Sequence, residues 1–377
     1  MTKLIDITGK ALSGEWGTDD ETGEGIPVLR TTNFTNEGVV NYNDVVTRTI
    51  TKKNIADKFL RKGDIIIEKS GGSDKFPVGR VIYFNGEEKT YLFNNFTGLL
   101  RVKNQDNWYP KYVFYSLYAN YKRGGTRAFE NKTTGLHNLK TDDYVSRYEV
   151  AEIDTSKQIL ICEKLDKSYE IVKLRRQELQ LLDELIKARF VEMFGDPILN
   201  PNGHLKEKIE KHINLLSGYP FKSEQYVEKG INICGGLIIM PQKIKWDECV
   251  HWSSVEGFED YLLNENDIVM ALDRPWISEG FKIAKVDAEH LPALLIQRTA
   301  RIRSIDINQD YLYYCFITGG FDKHSNVTGS LVPHISAKDI RSFEIMIPPV
   351  ELQNQFADFV NQVNKSKFTK QIDGPIS

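Results

Sequence analysis

Asp64, Glu68 and Lys69 come nearest to a catalytic set in this sequence. Two carboxylates beside an ammonium can hold a divalent ion and activate water. The acidic-x-Lys order that such nuclease sites use is missing, and a related later segment keeps Asp267 but has Ala271-Leu272 in place of the other two. No Gly-rich loop ends in Gly-Lys-Ser/Thr, and no HExxH, CxxC or GxSxG spacing occurs. Ile347-Pro348-Pro349 lacks the polar residue that amino-methyltransferases place ahead of the prolines. His137, His251, His324 and His334 have no paired ligand spacing, so neither a catalytic residue nor a metal site is expected.

The residue types that recur in loops suit binding instead. Arg, Lys, Asn, Gln, Ser and Thr read base edges and hold phosphates. In the first half they are Arg30, Thr31, Asn33, Lys69, Ser70, Ser73, Arg80, Lys122, Arg123, Thr126 and Arg127. In the second they are Lys222, Arg274, Gln297, Arg298, Arg301, Lys323, Asn326 and Thr328. Singly, each is an ordinary solvated side chain. Their placement at matching points of two copies raises the set above its members.

The copies are visible as an ordered repeat. Leu216-Ser217-Gly218 answers Leu12-Ser13-Gly14, and Gly230-Ile231-Asn232-Ile233 answers Gly25-Ile26-Pro27-Val28. Leu262 to Val269 answers Phe59 to Ile66, and Tyr311 to Tyr314 answers Tyr112 to Tyr115. Thr328-Gly329 answers Thr134-Gly135. The offset drifts from 205 down to 194 while the order is kept, as differences in loop length would cause. A period near 200 marks a duplicated domain and not a solenoid.

Between the copies, residues 154–197 hold no Gly or Pro before Gly195. Leu165, Tyr169, Val172, Leu179, Ile186, Phe190 and Met193 fall on positions alternating four and three apart; Arg176 and Asp183 interrupt the seam, with Leu182 beside the second gap. This is a heptad stripe on one long helix that packs along another. From Lys157 to Phe194 it would span about 57 Å and act as a ruler. A second helix is expected from about Val350 to Lys370, half as long, with Phe356 and Val360 answering Ile161 and Leu165.

The bulk composition sets limits. At 41% hydrophobic and 27% charged, the 377 residues make an ordinary soluble chain with room for two cores. No apolar run approaches about 18 residues. The start has no secretory h-region, and Cys162, Cys234, Cys249 and Cys315 suggest buried thiols in a reducing, cytoplasmic setting. Residues 26–150 carry a net +7, which suits a phosphate-facing surface, whereas residues 196–350 carry −5 and do not advertise one.

The repeat, the helix entry Lys157-Gln158-Ile159 through Lys164-Leu165-Asp166, and the exit Arg189-Phe190-Val191-Glu192-Met193-Phe194-Gly195-Asp196-Pro197 resemble the specificity subunit of type I restriction-modification systems. The resemblance implies an α/β (α+β) fold. Two pseudo-symmetric target-recognition domains, 1–153 and 198–347, would be joined by long helices, 154–197 and 348–377, in an antiparallel coiled coil. Each domain would read one half of a split site on double-stranded DNA.

The subunit would not itself be an enzyme and would bind no cofactor. Methyltransferase subunits would bring S-adenosylmethionine, and translocating restriction subunits ATP and Mg. The second helix is half the length usual for that family, as in a shortened allele completed by another chain. It would cover only the Arg176–Gly195 end of the first helix, leaving Ile161, Leu165, Tyr169 and Val172 open to other subunits or to a second copy. The competing readings are a coiled-coil adaptor without DNA, and a standalone nuclease or methyltransferase.

Overall fold

The computed structural model describes residues 1–74, 76–133, 136–318, 320–325 and 333–372, without the side chains of Lys132, Thr133, Leu136 and residues 368–372. The chain divides into two compact units, Met1–Lys173 and Leu174–Ser377. The division falls within a 40-residue helix, Thr155–Phe194.

In the first unit, Ile65-Ile66-Ile67 forms a strand buried on both faces, which is why its apolar run is unbroken. Ile65 and Ile67 join a core with Val113, Phe114 and Leu117 of the helix Pro110–Lys122. Ile66 points the other way, into a core with Leu29, Phe84 and Phe93. That helix starts with Pro at its first turn and stops before Gly124, which takes a left-handed φ of 75°.

The main sheet runs in the spatial order Leu12–Ser13, Thr97–Leu100, Ile65–Glu68, Val81–Tyr83, all antiparallel. A second sheet runs Thr18–Asp19, Val46–Thr49, Ile26–Leu29, Leu92–Phe93, and its last pair is parallel. The strand Thr2–Lys3 pairs with Glu149–Val150 and closes the unit.

The second unit repeats this plan. Its main sheet runs Ile213–Ser217, Thr299–Ser304, Ile268–Ala271, Ile283–Lys285, again antiparallel. Its second sheet runs Val250–Trp252, Ile231–Cys234, Ala293–Leu295, with a parallel last pair. Lys206–Lys208 pairs with Glu344–Met346 as the closing strands. The helix Gln309–Thr318 takes the place of Pro110–Lys122. Such mixed sheets with helices on one side make each unit α+β.

The long helix docks differently on each unit. In the first, Gln158 and Cys162 are buried, and Asp166 accepts Lys111 Nζ at 2.6 Å and the Tyr115 hydroxyl at 2.5 Å. In the second, Ile186, Phe190 and Phe194 are fully buried against Tyr311, Phe356 and Val360. The helix Val350–Ile372 runs antiparallel to this end: Phe356 meets Phe190, while Lys367 Nζ pairs with Asp183 at 2.5 Å and its carbonyl accepts Arg175 at 2.7 Å. Leu179, Leu182 and Met193 are half-buried there. Leu165, Tyr169 and Val172 are exposed, at 41%, 39% and 49%.

Candidate nucleic-acid interface

Each unit locks its first core turn with one buried carboxylate. Asp64 accepts Arg101 Nε and Nη2, both at 2.7 Å, and the Arg61 N–H at 2.7 Å, while Arg101 also donates to Phe59 O. Asp267 accepts Arg303 Nε and Nη2 at 2.5 and 2.7 Å and the Asn264 N–H at 2.7 Å, while Arg303 also donates to Leu262 O. A charge-assisted fork of this kind fixes a turn in one geometry. It also leaves Asp64 with no free oxygen for a metal. Among the described residues no cluster of His, Cys, Asp and Glu could hold one.

Above these turns the backbones approach closely. A Cβ on Gly14 would lie 2.2 Å from the carbonyl oxygens of Phe93 and Asn94, and one on Gly218 would lie 2.0 Å from Ile296 O. The repeated Leu-Ser-Gly thus marks a crossing that only Gly permits.

Four of the residues singled out from the sequence belong to this frame and are corrected to structural roles. Asn33 is buried; its amide donates to Asn41 O and Asp44 O and its oxygen accepts the Arg30 N–H, closing the loop between them. Arg80 is half-buried and donates to Phe34 O and Thr31 O at 2.9 Å and to Glu68 at 3.3 Å. Thr126 is fully buried. Arg301 is buried and donates to Asp260 O, Leu262 O and Asn214, and burial pulls its pKa down. Polar type alone does not distinguish a side chain that holds its own loop from one that faces outward.

The rest of the first unit's set is spread along its loops. Arg30 pairs with Asp44 at 2.8 Å, and Thr31 beside it is half-buried. Lys69 and Ser70 are half-buried at the end of the central strand, with Lys69 Nζ donating to Ser13 Oγ at 3.1 Å; burial lowers that ammonium's pKa. Ser73 is exposed and accepts the Phe76 N–H. Arg127, also exposed, donates to Asp74 O of the same loop. Lys122 and Arg123 are exposed at the helix end, Lys122 lying 5.3 Å from the Tyr118 ring centre.

In the second unit, Arg274, Gln297 and Arg298 are exposed and converge on one cleft of about 730 Å³, which Lys282, Asp273, Glu248 and Leu237 also line. Two exposed guanidinium groups thus face one cleft, although residues 196–350 are acidic in total. Lys222 is exposed ahead of a short 3-10 turn, and Lys323 is exposed in a separate cleft with Trp276 and Phe281. Asn326, Thr328, Thr134 and Gly135 lie outside the described residues. Asp273, Leu237 and Phe96 were not singled out from the sequence. Extending the repeat one turn further would have aligned Phe96 with Arg298.

Residues 218–374 match the family model for the type I restriction modification DNA specificity domain. Among curated proteins, the chain is 32% identical over 168 residues to the type I restriction enzyme EcoAI specificity subunit of Escherichia coli, covering 41% of this chain and 28% of that one. It is 27% identical over 164 residues to the MjaVIII specificity subunit of Methanocaldococcus jannaschii, covering 42% and 38%. The matches thus span well under half of either relative.

The fold is shared more widely. The structure of a type I restriction-modification S subunit from M. genitalium aligns with a TM-score of 0.57 over 98% of this chain and 90% of that one, at 15% identity. A chain from a structural study of type I complex assembly aligns at 0.52, covering 99% and 92%, at 14% identity. The α+β fold that the resemblance implies is thereby shown.

Proposed function

We propose that this chain is the DNA-sequence recognition subunit of a type I restriction-modification complex, with each unit reading one half of a bipartite target. The observation that carries the reading is a single frame built twice, locked by Asp64–Arg101 and by Asp267–Arg303, with exposed cationic and amide side chains at its loop tips. A duplicated scaffold with unlike tips is what a split, asymmetric sequence requires. The relatives named as specificity subunits support it.

The chain is then a non-catalytic, cytoplasmic scaffold. S-adenosylmethionine, ATP and Mg belong to partner methyltransferase and restriction subunits. The exposed Leu165, Tyr169 and Val172 give those subunits, or the helix of a second copy, an apolar strip to cover. No helix among the described residues is long and apolar enough to cross a membrane.

The test is retention of the full chain, with co-expressed methyltransferase subunits, on duplex DNA. Affinity should fall linearly with the logarithm of salt concentration. A complex that assembles but ignores duplex at low salt would favour the coiled-coil adaptor.

A further inference from the structure

The turns at Asn94–Thr97 and Ile296–Thr299 occupy the same place in the two units. In each, the threonine hydroxyl donates back to the first residue's carbonyl: Thr97 to Asn94 O, and Thr299 to Ile296 O. In each, the third residue's carbonyl accepts an N–H from the end of the central strand, Lys69 to Phe96 O at 2.8 Å and Leu272 to Arg298 O at 2.9 Å. In each, the following threonine is fully buried while the third side chain stands in solvent: Phe96 is 54% exposed and the Arg298 side chain 73%. Turns at the same place in the fold therefore present a phenyl ring in the first unit and a guanidinium in the second.

Arg298 is prepared further. Its φ is +63°, in the left-handed region that a β-carbon disfavours, and such strain collects at functional sites. Its Nη1 lies 3.2 Å from Asp273 Oδ2, and Asp273 Oδ1 is held by His334 Nδ1 at 2.6 Å. This ion pair holds the guanidinium beside Asp273 while leaving donors to spare, since the group carries five. An exposed guanidinium with free donors matches the O6 and N7 acceptors of guanine. An exposed phenyl on a rigid turn has no hydrogen bond to offer a base; it matches the 5-methyl group of thymine. Single exposed apolar residues are common; its equivalence to Arg298 sets Phe96 apart from them.

We propose that Phe96 and Arg298 are the equivalent base-reading positions of the two units, Phe96 selecting a thymine in one half-site and Arg298 a guanine in the other. This rests on the DNA-recognition reading above and names its chemistry.

The test is competition binding by the full chain with its methyltransferase subunits, using duplexes that carry its methylated motif. Each guanine in turn is replaced by 7-deazaguanine, and each thymine by uracil. The wild type should lose about 10- to 100-fold at one 7-deazaguanine, the range of one bidentate contact. It should lose about fourfold at one uracil in the other half, the worth of one buried methyl.

Arg298→Ala should no longer sense the first replacement, and Phe96→Ala no longer the second. Arg298→Lys keeps the charge without the fork and should retain binding with a reduced penalty. Penalties unchanged from wild type in Arg298→Lys and Phe96→Ala, with binding intact, would overturn the assignment and leave DNA recognition standing. A wild-type complex that prefers no duplex over a scrambled competitor would instead overturn DNA recognition itself.

Discussion

Gln158 Oε1 accepts the N–H of Tyr109 at 2.8 Å, and its amide donates to Asn107 O and Ile153 O. Gln353 repeats this in the second unit, accepting the Asn308 N–H at 2.8 Å and donating to Pro348 O at 2.8 Å. Both glutamines are buried, at 0% and 2% exposure, in the first turn of a long helix. Each long helix is thus pinned to the loop that precedes its unit's own core helix.

Gln353→Ala leaves a half-buried N–H and a buried carbonyl without partners. It should cost about 2–3 kcal/mol, read as a lower denaturant midpoint with an unchanged slope. Exposed Gln362, on the same helix, should tolerate alanine within about 0.5 kcal/mol.

Glu68 carries a pH signature. Burial raises its pKa above 4.5, with Arg80 pulling the other way. A carboxyl whose folded pKa lies above its unfolded value costs stability when ionised and recovers it as pH falls. Wild type should therefore gain stability relative to Glu68→Gln as pH is lowered from 7 through the range between the raised value and 4.5. Parallel stability curves for the two proteins would remove this role.

The two ends of the long helix should answer differently to truncation. Phe190→Ala opens a hole beside Phe194, Tyr311 and Phe356, and should cost about 3–5 kcal/mol. Leu165→Ala and Val172→Ala touch exposed positions and should change unfolding by less than about 0.5 kcal/mol. Their effect should appear in assembly, as weaker retention of methyltransferase subunits in a pull-down.

Much of the fold was legible because its determinants are local. Ile65-Ile66-Ile67 reads as a doubly covered strand, and Pro110 and Gly124 bracket a helix. The repeated Leu-Ser-Gly survives in both copies because a Cβ would strike a carbonyl at about the same place. The site was less legible. Asn33, Thr126 and Arg301 have the chemistry of base readers, yet tertiary packing buries all three and turns Asn33 and Arg301 to loop backbone. Phe96 carries no polar signal, so nothing in its type marks it out, although the repeat extended one turn further pairs it with Arg298 as the two turns' hydrogen bonds do. The parallel pairing of Val28 with Leu92 joins strands far apart in sequence, which no local pattern announces.

The claim that each unit reads one half of a split site is tested most directly by exchange. Residues 198–347 would be replaced by the corresponding segment of a relative with a different target, in cells that also express the methyltransferase subunits, and the methylated motif read from the genome. One half of the motif should change to the relative's and the other half should stay as it was. A motif altered in both halves, or in neither while methylation persists, would contradict the division of recognition between the two units.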